Sequence, residues 1–189
     1  MELLKQRILE VGVVVSDQVL KLDAILNHQV DPGLIMEMGK EFARLFRETK
    51  PDKVLTVESS GIPIAYTTAL HLEVPMVFAR RKKTLTMDQD TYSERVPSFT
   101  KGIVTDIMVS SHLLHKGERV LLIDDFIANG DAARGLIRII EKAEAELVGV
   151  GIAVEKSFQA GGSSIRERGI RVESLARISS LANGQIRFD

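Results

Sequence analysis

Val120-Leu121-Leu122-Ile123 is an unbroken apolar run, which is how a strand reads when both of its faces are buried. Such a strand restricts the chain to layered folds in which helices cover a sheet from two sides. Two adjacent carboxylates, Asp124 and Asp125, follow the run. Next come the small-residue turn Ala128-Asn129-Gly130 and a segment with apolar positions at Ala132, Ala133, Leu136, Ile137, Ile139, Ile140 and Ala143, the spacing of an amphipathic helix. Ligands of open α/β sheets bind beyond the carboxyl ends of the strands. A helix amino terminus there offers unpaired N–H groups and the positive end of a dipole, which suits phosphate. One capping Asp would be an ordinary strand-to-helix junction. Two acids with a glycine turn point instead to a pocket for a phosphate that also carries sugar hydroxyls or a metal.

The rest of the chain extends the same alternation. Strands are expected at Lys53–Val57, Val74–Ala79, Ile107–Ser110, Arg119–Ile123 and Leu147–Glu155, with shorter ones at Val172–Ala176 and Ile186–Phe188. Helices are expected over residues 2–11 and after Asp31-Pro32, where Asp caps and Pro occupies the first turn. The second helix carries Leu34, Ile35, Met38, Phe42, Leu45 and Phe46 on one face. Short strands crossing away from the main sheet fit residues 13–30. Residues 80–101 are charged and poor in periodicity, and a loop of that length is usually functional or disordered. The whole implies a mostly parallel α/β sheet. At 189 residues one domain, 1–189, is expected.

The chain contains no cysteine, which excludes disulfides and thiolate metal sites. Its apolar runs are too short to span a bilayer, and Met-Glu-Leu-Leu-Lys lacks a signal peptide's basic start, so a cytoplasmic protein without membrane contact is expected. A formal net charge of −1 with mixed signs argues against nucleic-acid binding as the main task. The four histidines, His28, His71, His112 and His115, show no zinc spacing, and Asp88-x-Asp90 lacks the rest of a calcium loop. No P-loop or dinucleotide fingerprint is complete.

A second candidate site is Glu58-Ser59-Ser60-Gly61-Ile62, directly after Lys53–Val57, where glycine lets backbone amides approach pyrophosphate closely. Taken alone it is a common turn composition. The cluster Arg80-Arg81-Lys82-Lys83 would suit pyrophosphate too, although charge runs are more often simply solvated. Lys156, Leu20 and Asn27 would by themselves read as a solvent-facing strand terminus, a core leucine and a turn asparagine.

The acidic segment resembles the phosphoribosyl-pyrophosphate signature of the type I phosphoribosyltransferases. The family's usual tail is Ala-Thr-Gly-Gly-Thr. Here it is Ala128-Asn129-Gly130-Asp131-Ala132, without either threonine hydroxyl. The order of Glu58–Ile62, Phe78-Ala79-Arg80, the signature, Glu155-Lys156-Ser157-Phe158-Gln159 and Val172–Ala176, with residues 16–21 and 26–29, is similar to the bacterial xanthine phosphoribosyltransferase branch. The likeness spans nearly the whole chain, weakening over residues 86–118 and at the end.

That resemblance implies a type I phosphoribosyltransferase fold with a small hood, drawn largely from residues 1–30 and the C-terminal segment. It implies xanthine and 5-phosphoribosyl 1-pyrophosphate (PRPP) as substrates, Mg2+ carried on the pyrophosphate rather than in a protein metal site, and a homodimer. Asp124 and Asp125 would be the catalytic acids. Glu58, Ser59, Ser60, Gly61, Arg80 and Ala128, Asn129, Gly130, Asp131, Ala132 would bind PRPP, the last five through backbone amides. Lys156, as a donor only, would select a 6-oxo purine, with Phe158 stacking on the ring and Leu20 and Asn27 completing the base contacts. The stretch from Arg80 to Lys101 would be a loop closing over the reacting centre. A guanine or hypoxanthine phosphoribosyltransferase would share every sugar-phosphate feature. A purine-sensing transcription regulator of the same fold would carry an added amino-terminal DNA-binding domain, and the matching segment here begins almost at Met1.

Overall fold

The computed structural model describes residues 1–82, 90–98 and 103–189. In chain order these form α1 (Glu2–Val11), β1 (Val13–Ser16), β2 (Val19–Lys21), α2 (Pro32–Phe46), β3 (Lys53–Val57), α3 (Ile62–Leu72), β4 (Met76–Ala79), β5 (Thr91–Ser98), β6 (Ile103–Ser110), β7 (Arg119–Ile127), α4 (Asp131–Lys142), β8 (Glu146–Lys156), α5 (Gly161–Arg166), β9 (Val172–Ser180) and β10 (Arg187–Phe188). Six strands make the central sheet in the order β10-β9-β8-β7-β3-β4, parallel except for β10. This is an α/β sheet of the expected kind, with helices on both faces.

Each helix forms for reasons visible locally. Asp31 accepts a hydrogen bond from the Leu34 amide at 3.1 Å, and Pro32 needs no donor of its own at the first turn. From there Leu34, Ile35, Met38, Phe42 and Phe46 are buried in one core, which also takes Leu4 and Ile8 of α1 and Ile64 of α3. Gly149 and Gly151 of β8 sit beneath α2. A Cβ at Gly149 would lie 2.4 Å from the Phe46 ring, and one at Gly151 would lie 2.8 Å from the Phe42 ring. The other face of the sheet is covered by α4 through Leu136, Ile137, Ile139 and Ile140.

Strand order decides where a ligand can sit. From β3 the chain moves outward to β4, and from β7 it moves the opposite way to β8 and β9. Neighbouring strands whose connections diverge leave a crevice at their carboxyl ends. Both candidate loops, 58–61 and 128–132, leave the sheet there.

Several expectations need correction. Residues 91–98 are not part of an aperiodic loop: β5 pairs antiparallel with β6 along its full length, from Thr91 opposite Ser110 to Ser98 opposite Ile103. Its apolar pattern is faint because α4 holds it partly by charge, with Glu94 accepting from Arg138 and Lys142 at 2.7 Å each. Of the rest of the expected closing loop, residues 83–89 and 99–101 lie outside the described residues, Lys83 and Asp88 among them. The strand bearing the acids does not end at Ile123. Strand β7 continues to Ile127, because the eleven-residue β8 keeps pairing with it through Ile127 opposite Glu155. β4 starts at Met76 rather than Val74, after Pro75, which has no N–H for a ladder. Strand β9 runs past Ala176 to Ser180, and α5, which opens on Gly161-Gly162, was not anticipated. Residues 13–21 do form a separate two-stranded antiparallel sheet, and Gly12 beside it lies against Ile186 near the C-terminus.

Candidate functional site

Asp124 is 5% exposed, and its Oδ1 accepts the Asp125 amide at 3.0 Å. Burial, then the neighbouring Asp125 charge, raises its carboxyl well above the ordinary range. Asp125 is half-buried. Its Oδ2 accepts from Asn27 Nδ2 at 2.8 Å, so a residue of the amino-terminal segment reaches an acid 98 positions away.

Opposite them, Gly61 ends the loop after β3. A Cβ there would stand 2.3 Å from Thr56 Oγ1 and 2.9 Å from Asp124 Oδ1, so only glycine lets this loop close against the acids. Glu58 does not point freely into the crevice. It pairs with Arg80 Nε at 2.9 Å and accepts the Arg81 amide at 2.6 Å, while its carbonyl accepts Arg81 Nε at 3.1 Å. Glu58 thus fixes two arginines at the site's edge. Ser59 and Ser60 lie in the same turn, with Ser59 O accepting the Ile62 amide at 3.1 Å.

The turn after β7 forms the third wall. Gly130 has φ 83°, a left-handed conformation glycine adopts without strain, and α4 begins at the next residue. The first amides of α4 have no carbonyl within the helix to bond. They border a cavity of about 190 Å³ reached by Arg81 and by Ala128 to Ala132. The turn is braced from behind, because Gly161 N–H donates to Ala128 O at 2.9 Å and a Cβ on Gly161 would lie 2.3 Å from that same oxygen.

On the hood side, Lys156 closes β8. Its Nζ donates to Gln18 O at 2.6 Å and lies 5.9 Å from the centre of the Phe126 ring. Burial lowers its ammonium pKa. Phe158 is half-buried against the α2-side core, to which Leu20, 7% exposed, also belongs. Behind Lys156, Glu155 is 1% exposed and takes two hydrogen bonds from Arg166, at 2.6 and 2.7 Å. Burial opposes its ionisation, but hydrogen bonds from Arg166 and Ser174 and the charges of Arg166 and Arg177 outweigh that and hold its carboxyl below the usual value. This buried network fixes the strand end that presents Lys156.

The fold therefore gathers Asn27, Glu58, Gly61, Arg81, Asp124, Asp125 and the 128–132 turn around one crevice, with Lys156 and Phe158 on its hood side. Sequence reasoning named Arg81 only within a basic run suited to pyrophosphate and Gln18 only within a matching stretch, and it gave Phe126 and Arg166 no role. Only the third dimension pairs Gln18 with Lys156 or Arg166 with Glu155. Among the described residues no group of three or more His, Asp or Glu side chains converges as a metal cage, and no helix is long and apolar enough to cross a membrane.

A family model described as the phosphoribosyl transferase domain matches residues 23–167. A xanthine phosphoribosyltransferase of Moorella thermoacetica is 57% identical over 187 residues, covering 99% of this chain and 95% of that protein. One from Oceanobacillus iheyensis is 53% identical over 188 residues, covering 100% and 97%. Among solved structures, the adenine phosphoribosyltransferase of Rhodothermus marinus superimposes with a TM-score of 0.75 at 25% identity, covering 94% of this chain and 100% of that one. That of Giardia lamblia, complexed with 9-deazaadenine, gives 0.76 at 20% identity, covering 92% and 97%, a likeness of fold.

Proposed function

Since the chain belongs to the type I phosphoribosyltransferase family, in its xanthine phosphoribosyltransferase branch, we propose that it joins xanthine to PRPP, giving xanthosine 5'-monophosphate and pyrophosphate in purine salvage. The bond from ribose C1 to the pyrophosphate oxygen breaks as a purine ring nitrogen bonds to C1 from the opposite face and loses its proton. Charge builds on the ribose as the leaving group departs, so the protein's work is positioning and electrostatics.

The observation that carries this reading is the pairing of Asp124 and Asp125 with a glycine-bearing phosphate-sized turn at the sheet's switch point. In it Asp124 and Asp125 hold the ribose hydroxyls and stabilise positive charge near C1. The amides of Ala128 to Ala132 receive the 5-phosphate, which needs neither missing threonine hydroxyl. Gly61 and the Ser59-Ser60 turn, with Arg80 and Arg81 held by Glu58, take the pyrophosphate. Lys156 donates to the 6-oxo group, Phe158 stacks on the ring, and Leu20 and Asn27 complete the base pocket.

The donors at the crevice suit magnesium that arrives with PRPP. Glu58 is engaged by arginines, Asp131 pairs with Arg134 and Asp124 is buried, which leaves Asp125, bonded through Oδ2 to the neutral Asn27 amide, as the carboxylate without a cationic partner among these four. A single half-buried carboxylate fits an ion that keeps substrate oxygens and water as its main ligands. Magnesium held there would supply positive charge to offset that of the pyrophosphate.

A single domain, a homodimer and a cytoplasmic location complete the proposal, the dimer to be tested by light scattering on the purified protein. The activity is tested by measuring turnover of xanthine, guanine, hypoxanthine and adenine with PRPP and magnesium side by side. Xanthine is expected to give the highest kcat/KM and adenine the lowest. Preference for guanine or hypoxanthine would move the base assignment, and no turnover of any base would overturn the reading.

A further inference from the structure

The phosphate turn carries a carboxylate where an anion is to bind. Asp131 is the first residue of α4, which favours the helix dipole but repels an incoming phosphate. One turn later stands Arg134. Its Nη2 donates to Asp131 Oδ1 at 2.7 Å and its Nη1 donates to Ser164 Oγ at 3.1 Å, tying α4 to α5. The two side chains are 18% and 30% exposed, so this pair is partly shielded from water. The guanidinium also lies against the turn itself, since a Cβ on Gly130 would be 3.0 Å from Nη1.

We infer that Arg134 is a positioning residue of the phosphate turn: it cancels the Asp131 charge and draws that carboxylate aside toward α5. The free amides and the dipole of α4 then face the phosphate without net repulsion. The inference rests on the reading that residues 128–132 receive the 5-phosphate of PRPP. It assigns a role to a residue outside that stretch and explains how a carboxylate is tolerated within it.

The test is steady-state kinetics on the full chain with PRPP and xanthine varied in turn. Arg134→Gln is expected to raise the KM for PRPP about tenfold, the scale of one partly screened charge, while kcat changes less than about threefold and the KM for xanthine holds. Adding Asp131→Asn to it removes the uncompensated charge and should bring the PRPP KM back to within about twofold of wild type. A merely structural role for Arg134 would not be rescued this way, because the double variant still lacks the bond to Ser164. Asp131→Asn alone frees the guanidinium for the phosphate and should lower the PRPP KM. An unchanged KM in Arg134→Gln, or a rise that Asp131→Asn fails to reverse, overturns the inference. Should Arg134→Gln not fold, a raised PRPP KM in Asp131→Asn overturns it. A wild-type protein that does not saturate with PRPP would instead sink the functional reading beneath it.

Discussion

Asp124 is the residue for which stability and function pull apart. Its buried carboxyl keeps its proton more tightly in the folded chain than in the unfolded one. As pH rises from the ordinary carboxylate value through the raised one, the unfolded chain releases that proton first, so wild-type stability falls over this window. Asp124→Asn removes the term. The variant should unfold at a higher denaturant concentration than wild type at neutral pH, with the gap closing as pH falls toward the ordinary carboxylate value. Its turnover should drop by about 10²-fold, the scale of one lost electrostatic group. Denaturant titrations at several pH values and one rate measurement check both halves. Equal turnover in variant and wild type would remove Asp124 from the catalytic pair.

At the scale of elements, the packing of α2 on β8 depends on two glycines. Phe42 and Phe46, four apart on the helix, lie over Gly151 and Gly149, two apart on the strand. An aromatic ring cannot yield as a flexible chain end can, so Gly151→Ala should cost about 1–3 kcal/mol by overpacking. That outweighs the roughly 0.5–1 kcal/mol an alanine would gain over glycine within a strand. Chemical denaturation measures it, and a variant as stable as wild type would mean the helix simply lifts. The same elements show what a sequence can disclose. The acid pair, its glycine turn and the amphipathic helix were legible because each is contiguous and periodic. Strand β5 was not, because among Thr91–Pro97 only Val96 is fully buried and Glu94 is held by ion pairs from α4. Helix α5 was hidden for another reason: six residues opening on two glycines carry no helical propensity to read. Of the site, the acids and the two loops could be found from local pattern, whereas the base-side residues were reached only through family likeness.

For the molecule as a whole, two cores share one sheet, and the amino terminus is tied to its far end, the Met1 ammonium donating to Leu175 O. A chain built this way should unfold as one unit, with far-ultraviolet circular dichroism and calorimetry reporting the same midpoint and matching enthalpies. Separate transitions would divide the single domain proposed here. The bond from Asn27 to Asp125 also links distant parts of the chain, joining the proposed base pocket to the proposed ribose acids. A sugar hydroxyl that takes over Asp125 Oδ2 displaces the Asn27 amide, which is then free for the purine. The two ligands thus become linked, each improving the other's affinity by the same factor, as thermodynamic cycles require. Xanthine should bind more tightly by calorimetry when ribose 5-phosphate, magnesium and pyrophosphate are present, and that gain should shrink in Asn27→Ala. Equal gains in both proteins would place the communication elsewhere. If the link holds, the enzyme waits for its sugar partner before it will grip a base.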